Sequence, residues 1–123
     1  MKQLIACCAY QYTATQILNK EADIIAHLDF KLIITSTYKF FEPFSVAVGL
    51  QTKNQHLAHY ILELSLLQPK FLNYSPSLMA ASVIYLIKKI RKSESPWNEQ
   101  MAELLGYEER DLKICAKDLC TLL

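Results

Sequence analysis

Few residues in this chain are able to do chemistry, and none stands in a catalytic pattern. His56 and His59 are three residues apart, so a helix would place both on one face and within reach of one metal ion. A zinc site needs three or four ligands, and no Cys or carboxylate nearby completes the set. The pair therefore reads as part of a solvated helix face, and no metal is expected. His27 reads as structural. Cys7, Cys8, Cys115 and Cys120 form no Cys-x-x-Cys pair, and Cys115 and Cys120, five apart, do not suit a helical disulfide. Each cysteine sits among Ala, Leu or Ile, where a reduced Cys behaves as a small buried hydrophobe. Reduced thiols fit a location in the nucleus and cytoplasm. Lys88-Lys89-Ile90-Arg91-Lys92 fits either a nucleic-acid patch or localisation signal, or solvated cations at the negative end of a helix dipole. The second reading is preferred. No nucleophile–base arrangement, Gly-rich phosphate loop or paired-carboxylate motif is present. No enzymatic activity, cofactor or small-molecule substrate is expected.

The elements that carry these residues are helical throughout. The chain has 123 residues, 52% of them apolar, with only two glycines and a net charge of +1 from 13 basic and 12 acidic side chains. That suffices for one substantial core and demands neither nucleic acid nor an anionic membrane. The longest apolar run, residues 78–87, is about half the ~20 residues a membrane span needs. The apolar stretch at residues 4–9 is too short for a leader, and Gln11, Tyr12 and Thr13 lead into a helix rather than a cleavage site. A soluble, non-membrane protein is expected.

From Thr13 to Asp29, Ile17, Leu18, Ile24, Ile25 and Leu28 share a helical face, and Thr13 with Gln16 has the form of a capping box. Leu32-Ile33-Ile34-Thr35 is β-branched and suits an extended connector. Ser36 or Thr37 opens an aromatic segment with Pro43 inside it, where a kink or break is expected. Thr52-Lys53-Asn54-Gln55 has the form of a second capping box, ahead of an amphipathic helix ending near Gln68-Pro69. Ser75 and Pro76 open a helix that is apolar nearly all round and must be the central element. Ser95-Pro96-Trp97 opens a further helix closed by Gly106-Tyr107, with Trp97 plugging the end of a bundle. Glu108-Glu109-Arg110-Asp111-Leu112 opens the last, which shows Leu112, Cys115, Ala116, Leu119 and Leu122 on one face. The expected fold is all-α.

Leu57-Ala58-His59-Tyr60-Ile61-Leu62-Glu63-Leu64, Tyr74-Ser75-Pro76-Ser77 with Ala80-Ala81, Pro96-Trp97, and Leu105-Gly106-Tyr107-Glu108-Glu109-Arg110-Asp111-Leu112 occur in an order and spacing that resemble the second box of A- and B-type (mitotic) cyclins. Tyr12-Thr13-Ala14-Thr15-Gln16-Ile17-Leu18 with Leu28-Asp29-Phe30-Lys31-Leu32 resembles the last helix of the first box. The resemblance implies two parts. Residues 1–34 would be that last helix of an otherwise missing amino-terminal cyclin box. Residues 35–123 would be a complete carboxy-terminal box of five helices around a central apolar helix. It implies a regulatory subunit that binds a cyclin-dependent protein kinase and helps control the cell cycle. The Lys and Glu that anchor the kinase in the family have no counterpart here, so a reduced interface is expected, made by Leu4, Ile5 and Tyr12. The first four helices of the first box are absent, and a truncated copy is preferred over a natural short form. Two alternatives stay open. One is a transcription factor IIB-like nucleic-acid-binding cyclin fold, against which the near-neutral charge argues. The other is a kinase-independent helical adaptor.

Overall fold

A computed structural model describes residues 1–123, which form helices and no strands. They divide into two compact units, Met1–Ile34 and Thr35–Leu123. No helix is long and apolar enough to cross a membrane.

The first unit contains two helices where one is expected. α1 (Lys2–Cys7) is a short turn-and-a-half. It ends where Ala9 and Tyr10 take positive φ and the Tyr10 N–H donates to the Ile5 carbonyl. α2 (Ala14–His27) begins at the Thr13–Gln16 capping box, which is fully formed. Its end is fixed in the same way, by Asp29 and Phe30 at positive φ. No residue of this unit is buried.

The second unit is built around α5 (Pro76–Ile90). Ser75 accepts from the Leu78 N–H, and Pro76 occupies the first turn, where its missing donor costs nothing. Met79 and every residue from Ala80 to Ile87 are buried, so the helix is enclosed on all sides. Against it pack α3 (Thr37–Ala47), α4 (Thr52–Ser65) and α7 (Glu109–Cys120). A 3₁₀ turn (Pro69–Asn73) contributes Phe71 to the core, and α6 (Glu99–Leu105) contributes Met101 and Leu105. The result is five α-helices, with α5 in the centre.

Several local expectations need correction. α3 runs unbroken through Pro43. A proline forfeits only one intrahelical hydrogen bond, and burial of Phe41 and Ser45 on either side holds the helix to the core. The second capping box does not form: Gln51 is the N-cap of α4, and Gln55 instead donates its side-chain amide to the Leu50 carbonyl. α6 starts later than Ser95, with Asn98 accepting from the Met101 N–H. Of the four cysteines only Cys115 is buried; Cys7 and Cys120 are exposed and Cys8 is half-buried. Each of these three lies at or beyond a helix end, where local apolar composition does not guarantee a covering neighbour.

Trp97 does plug the bundle end. It is buried, meets Tyr85 edge to face at 6.2 Å and donates its indole N–H to the Tyr107 carbonyl at 2.9 Å. Gly106, at φ +74°, supplies the left-handed residue that ends α6.

Candidate functional site

Within the first unit the chain builds a concavity of about 1000 Å³. α1 contributes Leu4, the turn after it Cys8 and Tyr12, and α2 the aliphatic pair Ile17 and Ile24; Met1 and Leu32 also line it. The sequence makes this surface for identifiable reasons. The seven-residue spacing of Ile17 and Ile24 sets both on one side of α2. The left-handed turn at Ala9 and Tyr10 reverses the chain after α1, and the Thr13 cap fixes where α2 starts.

The lining is apolar with polar residues interspersed, Gln16, Asn19, Lys20, Glu21 and Asp23 among them. Leu4, Tyr12 and Ile24 are each about half exposed, at 49%, 53% and 52%. An apolar face of this kind, half exposed along α2, offers contact area rather than a set of reacting groups. Cys8 is the only thiol in the lining, and no histidine accompanies it. No group of three or more His, Cys, Asp or Glu is placed to hold a metal.

Of the three residues expected at a partner contact, the structure brings Leu4 and Tyr12 to this concavity, whereas Ile5 is half-buried and outside its lining. Sequence reasoning did not select Cys8, Ile17 or Ile24. The periodicity of the two isoleucines was the available signal. Cys8 depended on the turn at Ala9 and Tyr10, which no motif announces.

The histidine pair divides. His56 is exposed, but His59 lies 5.1 Å from the ring of Tyr38 and 5.1 Å from that of Phe41. His59 therefore packs from α4 against α3 and is only partly exposed to solvent. His27 is exposed, with Nδ1 2.7 Å from the Asp23 carbonyl oxygen. In the second unit two tyrosines join the core to α7. Tyr74 donates to Asp118 at 2.6 Å, and Tyr85 donates to Glu109 at 2.8 Å. The Asp118 bond pushes the Tyr74 phenol up to about 12, and burial together with the Glu109 bond does the same for Tyr85. The Tyr85 bond in turn holds the Glu109 carboxyl below its usual value.

Residues 35–123 match the family model described as "Cyclin, C-terminal domain". The chain is 38% identical over 114 residues to Cyclin-A1-4 of Oryza sativa subsp. japonica, which takes in 88% of this chain and 32% of that protein. It is 35% identical over 114 residues to Cyclin-A1-1 of Arabidopsis thaliana, over 88% of this chain and 25% of the relative. Putative cyclin-B3-1 of Arabidopsis thaliana is 32% identical over 116 residues, 94% of this chain and 29% of the relative. The chain thus spans between a quarter and a third of the length of these relatives.

Proposed function

The chain belongs to the cyclin family, and from that premise we propose that it is a non-catalytic regulatory subunit that binds a cyclin-dependent protein kinase and acts in cell-cycle control. The observation that carries this reading is the match of residues 35–123, an entire five-helix unit, to the cyclin carboxy-terminal domain. A regulatory subunit of this class works by binding. It holds the kinase in the arrangement where its own Lys–Glu pair and metal-binding Asp are in place. Its effect is limited by how much more tightly it binds that arrangement than the inactive one.

In this proposal residues 1–34 correspond to the last helix of an amino-terminal cyclin box and carry the kinase-facing surface. Two features support the assignment. Leu4 and Tyr12 share one concavity, and α2 presents Ile17 and Ile24 to it with nothing buried beneath. Ile5 adds at most peripheral contact.

The test is retention of a cyclin-dependent kinase on the immobilised 123-residue chain, with kinase activity read on the bound material. Retention is expected, and Leu4→Glu or Tyr12→Ala should reduce it by removing apolar contact without touching the core of the second unit. No retention of any such kinase would remove the kinase reading and leave the family assignment standing.

A further inference from the structure

We propose that the cleft between the start of α4 and the end of α5 is a binding site for a phosphoryl group, presented as a phosphoserine or phosphothreonine on a protein partner. The cleft has a volume of about 350 Å³ and is lined by three cations, Lys53, Lys88 and Arg91, together with Asn54, Ser93 and the backbone around Gly49. No carboxylate lines it, and none of the three cations is engaged in an ion pair. They are drawn from two elements far apart in sequence, so only the tertiary fold brings them together.

One of the cations is also held in place within the cleft. Arg91 donates its Nε–H to Asn54 Oδ1 at 3.0 Å, which pins the guanidinium across the mouth of α4 and leaves its other donors free. Lys88 is half-buried, with Nζ 3.3 Å from the thioether sulfur of Met101. A thioether is a weak acceptor and leaves that ammonium poorly compensated. At the first turn of α4 the Gln51 side chain makes no cap, so the open N–H groups of the helix add positive potential to the same cleft. Lys92 takes positive φ, and the Ser93 N–H donates to the Lys88 carbonyl. That bond satisfies one of the terminal carbonyls of α5 that would otherwise repel an anion.

Charge and size select the ligand. Three cations around one small cleft match a single dianionic group, for which a guanidinium fork and flanking ammoniums are well suited. A nucleic-acid strand requires a track of cations along successive phosphates, whereas the chain as a whole carries a net charge of only +1. Val48, half-buried in the lining, offers apolar contact for the residues flanking a phosphorylated side chain. This site lies in the second unit and is independent of the kinase reading.

The experiment is a titration of the full 123-residue chain, followed by amide NMR, with four probes. These are a short phosphoserine peptide flanked by leucine and alanine, its unphosphorylated twin, inorganic phosphate, and a single-stranded oligonucleotide. The phosphopeptide should shift amides of residues 48–54 and 88–93 saturably, and the unphosphorylated twin should not. Lys53→Gln with Arg91→Gln should weaken binding at least about tenfold, since two charge-assisted contacts are lost. Lys89→Gln with Lys92→Gln, which removes the same charge outside the cleft lining, should leave it unchanged. Equal weakening by both pairs would overturn the proposal in favour of diffuse surface charge. So would equal binding of the unphosphorylated peptide, binding of inorganic phosphate as tight as that of the phosphopeptide, or tighter binding of the oligonucleotide. If the Lys53/Arg91 variant loses its NMR dispersion, Lys53→Gln alone decides, because Lys53 is exposed and makes no side-chain hydrogen bond.

Discussion

Ser82 stands fully buried in the middle of α5, and its hydroxyl meets no oxygen or nitrogen partner, only the thiol of Cys115, a weak one. A buried, poorly paired hydroxyl carries a desolvation penalty of about 1–3 kcal/mol. Ser82→Ala is therefore expected to raise the melting temperature, and a lower value would show that Ser82 finds a stronger partner in solution. Ile84, equally enclosed, is filled space. Truncation to Ala should cost about 2–5 kcal/mol in a denaturant titration, the range for large-to-small core changes. A loss under about 1 kcal/mol would mean that α5 is not the centre of the bundle. Ile84 was legible from its place in an almost continuous apolar run. Ser82 was not singled out, because a single hydroxyl in that run does not reveal whether a neighbour will satisfy it.

The element scale separates helices whose ends are written in the sequence from those whose ends depend on their surroundings. α2 and α5 start at the expected caps because Thr13–Gln16 and Ser75–Pro76 act within one turn of chain. α6 begins at Asn98 rather than near Ser95, since Trp97 must first swing into the core and meet Tyr85. Asn98→Ala is expected to cost about 1 kcal/mol, typical of a lost N-cap, while Ser95→Ala should be neutral. Thermal melts of the two variants test this directly, and the reverse order would restore the earlier start. The unbroken α3 follows the same logic, because tertiary burial around Pro43 outweighs a local preference for a break.

For the molecule as a whole, pH acts through the bonds that tie α7 to the rest of the second unit. Tyr74 and Tyr85 have phenols raised from 10.0 to about 12. The folded state therefore holds those protons more tightly than the unfolded state. Their contribution is complete below pH 10 and is lost as pH rises towards about 12. Glu109 has the opposite sign: its carboxyl is depressed below 4.5, so its contribution is present above that value and falls away as pH drops through the folded pKa. Melting temperatures across pH should decline at both ends. Tyr85→Phe should flatten both limbs, and an unchanged profile would show that the Tyr85–Glu109 bond is not formed. Residues 1–34 contain no buried side chain, so their amides should exchange faster than those of α5 in hydrogen-exchange measurements.

The sequence by itself determined that the chain is all-helical, that the segment from Ser75 to Ile90 is central, and that the family is that of the cyclins. These follow from local caps, from apolar periodicity and from strings that survive in order and spacing. Only the tertiary structure decided that His59 packs between aromatic rings, that Leu4 and Tyr12 share a concavity without Ile5, and that Lys53, Lys88 and Arg91 surround one cleft. Each of these depends on which residues distant in the chain, or separated by a left-handed turn, end up as neighbours. Helical periodicity sets the face on which a side chain lies; packing between helices sets what that face meets.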